Sequence, residues 1–200
     1  REYMLYLPLY DGIHSLQIGV AAPSHIGQPS LPYPDTRKPI VFYGSSITQG
    51  ACASRPGMAA TNLIGRKLNV ETINLGFSGN AFIDYEVAEM MAHVDASAYV
   101  LDYVPNASPE QILEKTEKFV RILREKHPDV PLIFVEDPIF PHSKFDLRMA
   151  KEIKDKNDAM NQAFSSLKKQ GLKKIYLVKG RSLISANGES TVDGIHFTDC

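Results

Sequence analysis

The run Pro39-Ile40-Val41-Phe42-Tyr43 leads directly into Gly44-Ser45-Ser46-Ile47-Thr48-Gln49-Gly50. Residues 40–43 are β-branched or aromatic without a polar interruption, as in a strand buried on both faces. The following residues place hydroxyls at 45, 46 and 48 between glycines 44 and 50. The stretch therefore reads as a strand that ends in a loop opening toward a helix. Open α/β sheets build their sites at such strand ends.

Working outward, the same rhythm repeats. The pattern predicts a strand at 40–43, a helix at 58–68 after Pro56, a strand at 71–75 and a short helix at 85–93. A third strand is expected at 98–104. Ser108-Pro109-Glu110 then opens a helix to about 126, with proline in the first turn. A fourth strand at 131–135, an amphipathic helix at 151–170 ending before Gly171, and a fifth strand at 174–178 complete the series. Strands separated by helices imply an α/β fold with a central parallel sheet covered on both faces. The charged stretches 115–126 and 151–169 read as solvated helix faces.

Before this series the chain behaves differently. Apolar residues around 3–7 and 14–20 flank Asp11-Gly12, a hairpin signal. Prolines at 23, 29, 32, 34 and 39 mark an extended linker. Residues 1–33 are thus expected to be a β-hairpin and linker, the tail of a preceding β domain or an edge ribbon, and 34–200 the main domain. At the other end, His196-Phe197-Thr198-Asp199-Cys200 reads like a helix start with Thr198 or Asp199 as N-cap, so a further C-terminal element is expected.

The 200 residues suit one α/β domain, and 44% apolar with 22% charged residues argues against disorder. A formal net charge of -1 gives no electrostatic reason to expect nucleic acid or an anionic membrane as partner. No apolar stretch is long enough for a transmembrane helix. No signal peptide is visible, yet the chain begins mid-pattern, and a periplasmic or secreted protein whose leader has been removed is the expectation. Cys52 and Cys200 cannot make a disulfide framework and lack a metal-ligand spacing, and their pairing is open; no residue pattern calls for a metal or a cofactor.

Ser46 is the first candidate for chemistry. A serine hydroxyl is a poor nucleophile unless a base reaches it and a third group orients that base. Ser45, Ser46 and Thr48 also fit a capping role. Asp193-Gly194-Ile195-His196 supplies a candidate base and orienter, because histidine titrates near neutrality and a carboxylate can fix its tautomer. His14, His25, His93 and His127 lie in the hairpin, the linker or at helix ends. His142, after the fourth strand, is the rival base. Segments 74–80, with Gly76, Gly79 and Asn80, and 102–106, with Asn106, end strands on the same side and offer N–H and amide donors for an oxyanion. Each also fits a turn or a helix approach.

Together, the early Gly44-x-Ser46-Ile47-Thr48, the Asn74-x-Gly76-x-x-Gly79 turn, Asn106 after the third strand and the late Asp193-x-x-His196 resemble the SGNH/GDSL hydrolases from Pro39 to Cys200. The resemblance implies a flavodoxin-like three-layer α/β/α sandwich and metal-free serine ester hydrolysis. It implies Ser46 as nucleophile, His196 as base and Asp193 as its orienter. The Ser46 and Gly79 N–H groups and the Asn106 amide would form the oxyanion hole. Ser45 stands where the family signature has aspartate, and Val104-Pro105-Asn106-Ala107 departs from its third block; Asn80 is the substitute donor for Asn106. The hairpin resembles the end of a small β domain that precedes some bacterial members. Resemblance favours small acyl groups, such as acetyl on a glycan, as the partner substrate. Arg55, Phe77, Phe82 and Phe140 lie in loops that could line the acyl pocket or belong to the core. A non-catalytic anion- or carbohydrate-binding module is the competing reading, with the 44–50 loop as anion cradle. Against it, the loop lacks a phosphate-loop lysine, and Asp193 and His196 are left without a role.

Overall fold

The computed structural model describes residues 2–30, 38–185 and 188–199. Five strands form one parallel sheet: β1 (Ile40–Gly44), β2 (Thr72–Gly76), β3 (Ala98–Asp102), β4 (Leu132–Val135) and β5 (Ile175–Val178), in the order β2-β1-β3-β4-β5. The helices are α1 (Ser46–Gln49), α2 (Ala60–Leu68), α3 (Tyr85–Met91), α4 (Pro109–Lys126) and α5 (Leu147–Lys169). Winding runs outward from β1 to β2 and then crosses to β3, so the topological switch point falls at β1. Gly44 sits in register with both Gly76 and Asp102, which brings the carboxyl ends of β1, β2 and β3 to one edge. That edge is where an open α/β sheet leaves a crevice.

Alternation along the strands divides the apolar residues between two faces. Val41, Tyr43, Tyr99, Leu101, Leu132 and Phe134 are fully buried in one cluster with Met91 of α3, Phe119 and Leu123 of α4, and Met160 and Leu167 of α5. Tyr43 stacks on Phe119 at a centroid distance of 5.3 Å, and its hydroxyl accepts from the Ile83 N–H at 3.1 Å. The opposite residues, Ile40, Phe42, Val100, Ile133, Val135 and Val178, line an apolar trough that Ile64 and Leu68 of α2 flank on one side. The sandwich is therefore unequal, with α3, α4 and α5 on one face and α2 on the other.

Local signals explain the boundaries. α4 opens with a capping box: the Ser108 hydroxyl accepts from the Gln111 N–H at 3.2 Å, and the Gln111 side chain accepts from the Ser108 N–H at 2.9 Å. α5 begins at Leu147, earlier than the predicted 151, because the Asp146 carboxylate accepts from the Arg148 and Met149 N–H groups at 2.9 and 3.2 Å. β3 ends at Asp102 rather than 104, where Tyr103 and Val104 turn toward α4.

The predicted N-terminal hairpin does not form. Among the described residues 2–30 there is no strand, and residues 9–11 make only a bend. A two-stranded ribbon needs a third strand or a covering helix to be stable. Here Tyr3, Leu16 and Ile18 are more than half exposed, and no element among the described residues covers them. The segment touches the domain at few points. Leu9 C=O accepts from Gln49 Nε2 at 3.1 Å, and the Arg66 guanidinium lies 5.2 Å from the centre of the Tyr6 ring. The middle of the expected linker, 31–37, and Cys200 lie outside the described residues. Among the described residues no helix is long and apolar enough to cross a membrane.

Candidate active site

The end of β1 is shaped by what its neighbours require. A side chain at Gly76 would put its Cβ 2.2 Å from the Gln49 backbone nitrogen, so only glycine lets α1 pack onto the end of β2. Asn74 fastens the same junction, its Nδ2 donating to Thr48 C=O at 2.9 Å and to Thr61 Oγ1 at 3.1 Å. The hydroxyls that the sequence leaves interchangeable now separate. Ser45 is the N-cap of α1, fully buried, with its Oγ accepting from the Ile47 N–H at 3.2 Å. Thr48 donates to the Asp102 carboxylate at 2.6 Å. Ser46, at the first helical position, turns its hydroxyl elsewhere.

Ser46 Oγ lies 2.8 Å from His196 Nε2, across 150 residues of chain. On the other side of the ring, Nδ1 lies 2.6 Å from Asp193 Oδ2. Asp193 Oδ1 accepts from the N–H groups of Ile195 and His196 at 3.0 and 2.7 Å, which fixes the carboxylate within its own turn. The hydrogen bond to His196, with these backbone donors, holds the Asp193 carboxyl well below the usual carboxylate range. Gly194 makes the turn possible at φ 91°, and an added Cβ there would stand 3.0 Å from the His142 ring. His142, the rival base, thus packs beside the Asp193–His196 turn and stacks on Phe140 at 6.2 Å.

Segment 188–199, which carries the imidazole, follows the last strand. It folds on itself through a bridge between Thr191 and Phe197. Its tie to the loop after α1 is the Asp199 carboxylate, which accepts from the Ser54 N–H at 3.0 Å and from the Ser54 hydroxyl. The Asp199 carboxylate therefore clamps the two segments together.

The expected oxyanion donors follow the carboxyl ends of β1, β2 and β3. The Ser46 N–H, at the start of α1, has no intrahelical acceptor. Gly79 lies in the exposed turn after β2 with φ 68°, and its N–H has no acceptor among the described residues. Asn106 follows β3, and its Oδ1 accepts from the Ala81 N–H at 3.3 Å, which joins the two loops and leaves Nδ2 without an acceptor among the described residues. Asn80 differs: its Nδ2 donates to Ser78 C=O at 2.8 Å. Of the loop residues considered for an acyl pocket, Phe140 is 5% exposed in a cluster with Ile47 and Ile153 and belongs to the core. Phe77 is 39% exposed and sits edge-on to Tyr43. Arg55 is exposed beside Asp199, and the Phe82 carbonyl accepts from Lys115 Nζ at 2.7 Å.

The model of the GDSL-like lipase/acylhydrolase family matches residues 37–200. The chain belongs to that family. A GDSL-like lipase structure from Bacteroides ovatus is 43% identical, with a TM-score of 0.90 over 97% of this chain and 57% of that one. The salicylyl-acyltransferase SsfX3 of a tetracycline biosynthetic pathway is 17% identical, at TM-score 0.70 over 82% of this chain and 50% of its own. A family two carbohydrate esterase from Clostridium thermocellum, solved with cellohexaose, is 14% identical at TM-score 0.57, over 81% of this chain and 59% of its own. The chain thus spans between half and three-fifths of the length of these structures. No curated protein sequence matches it.

Cys52 and His142 complete the surroundings of the Ser46–His196 line in this GDSL-like domain. Cys52 belongs to no motif, and nothing in the sequence signals its closeness to Asp193 and His196. His142 was visible as a histidine after β4, but its contact with Gly194 depends on the fold.

Proposed function

We propose that this domain is a serine ester hydrolase in which Ser46 is the nucleophile, His196 the general base and Asp193 the group that orients it. The observation carrying this reading is the 2.8 Å contact between Ser46 Oγ and His196 Nε2, with Asp193 on the opposite ring nitrogen at 2.6 Å. Both distances lie within the reach that proton transfer requires. As the hydroxyl attacks an ester carbonyl, His196 takes its proton, and the ionised Asp193 stabilises the resulting imidazolium. Negative charge on the carbonyl oxygen falls to the Ser46 and Gly79 N–H groups and the Asn106 amide. His196 then protonates the leaving alcohol and activates water against the acyl-enzyme.

The substrate class we propose is a small acyl ester, with acetyl groups on a glycan first. Two features support it: the exposed setting of the Gly79 turn, and a carbohydrate esterase among the proteins that share this fold. The anion-cradle reading has less support, because Ser45 and Thr48 spend their hydroxyls on internal partners. Ser46→Ala is the test. The variant should fold as the parent does yet lose turnover of a short-chain nitrophenyl ester and labelling by a fluorophosphonate. Retained turnover or labelling refutes the assignment.

A further inference from the structure

We infer that Cys52, Asp193 and His196 form a site for a soft divalent cation, with Zn²⁺ as the reference ion, and that filling it switches ester hydrolysis off. The inhibitory part rests on the ester-hydrolase reading above; the binding part does not.

The Cys52 sulfur, an Asp193 carboxylate oxygen and a His196 ring nitrogen all lie within 4.8 Å of one another. Ester hydrolysis has no use for the thiol, which is free and exposed. Its position is held from both sides. Gly50 closes α1 in the left-handed region, the Ala51 N–H bonds back to Ser46 C=O at 3.0 Å, and Cys52 itself takes φ 66°. Beyond it, the bonds from Ser54 to Asp199 draw the same loop against the segment that carries His196.

Zinc takes thiolate sulfur at about 2.3 Å and imidazole nitrogen or carboxylate oxygen at about 2.0–2.2 Å. Tetrahedral angles then separate such ligands by about 3.3–3.6 Å. Rotation of the exposed Cys52 side chain is the movement that brings its sulfur toward that spacing. A sulfur–nitrogen–oxygen set favours Zn²⁺ or Co²⁺ over Mg²⁺ or Ca²⁺, which prefer oxygen ligands alone. The fourth position faces solvent and takes water. On binding, the thiol proton goes to solvent, the three side chains each donate a lone pair, and no electron changes hands.

Inhibition follows whichever ring nitrogen binds. At Nε2 the ion occupies the lone pair that must accept the Ser46 proton. At Nδ1 the ring proton moves through solvent to Nε2, which then has no lone pair for the Ser46 proton, and the ion replaces the hydrogen bond through which Asp193 orients the ring.

Co²⁺ reports the site directly. One equivalent added to the wild-type protein should produce a thiolate-to-cobalt charge-transfer band in the near ultraviolet. The band should persist in Ser46→Ala and Cys200→Ala and vanish in Cys52→Ala and His196→Ala. Zn²⁺, but not Mg²⁺, should lower wild-type nitrophenyl acetate turnover about tenfold or more, and Cys52→Ala should keep its uninhibited turnover while needing at least about tenfold more Zn²⁺. Cys52→Gly, which relaxes the left-handed backbone, repeats the test should Cys52→Ala fold poorly. Absence of the band in folded wild-type protein, or equal zinc sensitivity with and without the thiol, overturns the site. Because Ser46→Ala is read by cobalt absorption alone, failure of the esterase reading leaves this result interpretable.

Discussion

Replacing Asp137 by asparagine should stabilise the domain in a way that grows with pH. Asp137 follows β4, is 3% exposed, and its Oδ1 has no hydrogen-bond partner among the described residues, although its backbone N–H and C=O are both engaged by the Asn157 side chain at 2.7 and 3.0 Å. Burial pushes its carboxyl up from 3.8 to about 7, Lys156 opposes the shift, and Glu152 adds to it. The folded pKa lies above the unfolded one, so the folded state holds the proton more tightly. The resulting stabilisation is complete below about pH 4 and is lost as pH rises through 7. Asparagine copies the neutral form at every pH. Each unit between pH 5 and 7 adds about 1.4 kcal/mol to the cost of the ionised carboxylate. The variant's advantage should therefore be about 2.7 kcal/mol larger at pH 8 than at pH 5. Urea unfolding of both proteins at pH 5, 6, 7 and 8, followed by circular dichroism, measures this difference. An advantage that stays constant across the series refutes the argument that burial keeps the carboxyl protonated.

The site makes further quantitative demands. Asn106→Ala should lower kcat by about 10²–10³, as removal of a single oxyanion donor does, while Asn80→Ala should change it by less than about threefold; steady-state kinetics of the two variants decide the donor. Asp193→Asn should cost on the order of 10⁴ in kcat, because an amide N–H facing Nδ1 forces the tautomer whose Nε2–H faces Ser46. A kcat for that variant within about tenfold of wild type would show that the carboxylate does not orient the base. Gly194→Ala should lose about 1–2 kcal/mol of stability in its turn, since an L-residue is placed at φ 91° with its Cβ 3.0 Å from His142. Its kcat should fall more than its KM rises, and an unchanged kcat would mean that His142 and Gly194 do not set the position of His196.

Strand positions were legible because parallel strands buried on both faces carry unbroken apolar runs, as in Ile40 to Tyr43, and because Ser108 and Pro109 announce α4. The sequence offered Asp193 and His196 as partners for Ser46, and the three side chains are joined by hydrogen bonds in the structure. It could not separate Ser45 from Ser46: adjacent hydroxyls share a motif, and the division between cap and free hydroxyl depends on backbone dihedrals at Ser45. The hairpin failed for a different reason. Alternation and Asp-Gly describe what a ribbon would look like, but not whether a surface exists to cover it. Asp146 was overlooked as the start of α5 because Leu147 is 79% exposed and breaks the amphipathic pattern that located the rest of the helix.

The position of the imidazole beyond β5 has an operational consequence. The segment holding His196 lies beyond β5, outside the sheet ladder, while the core formed by β1, β3 and β4 with α4 and α5 lies elsewhere. Opening residues 188–199 breaks the bonds at Ser46 and Ser54 but exposes none of Tyr43, Phe119 or Phe134. Such a local opening costs less free energy than global unfolding. Turnover should therefore disappear at a lower denaturant concentration than ellipticity does, and an activity half-life will underestimate the lifetime of the fold. A preparation judged intact by its circular dichroism can already be enzymatically silent.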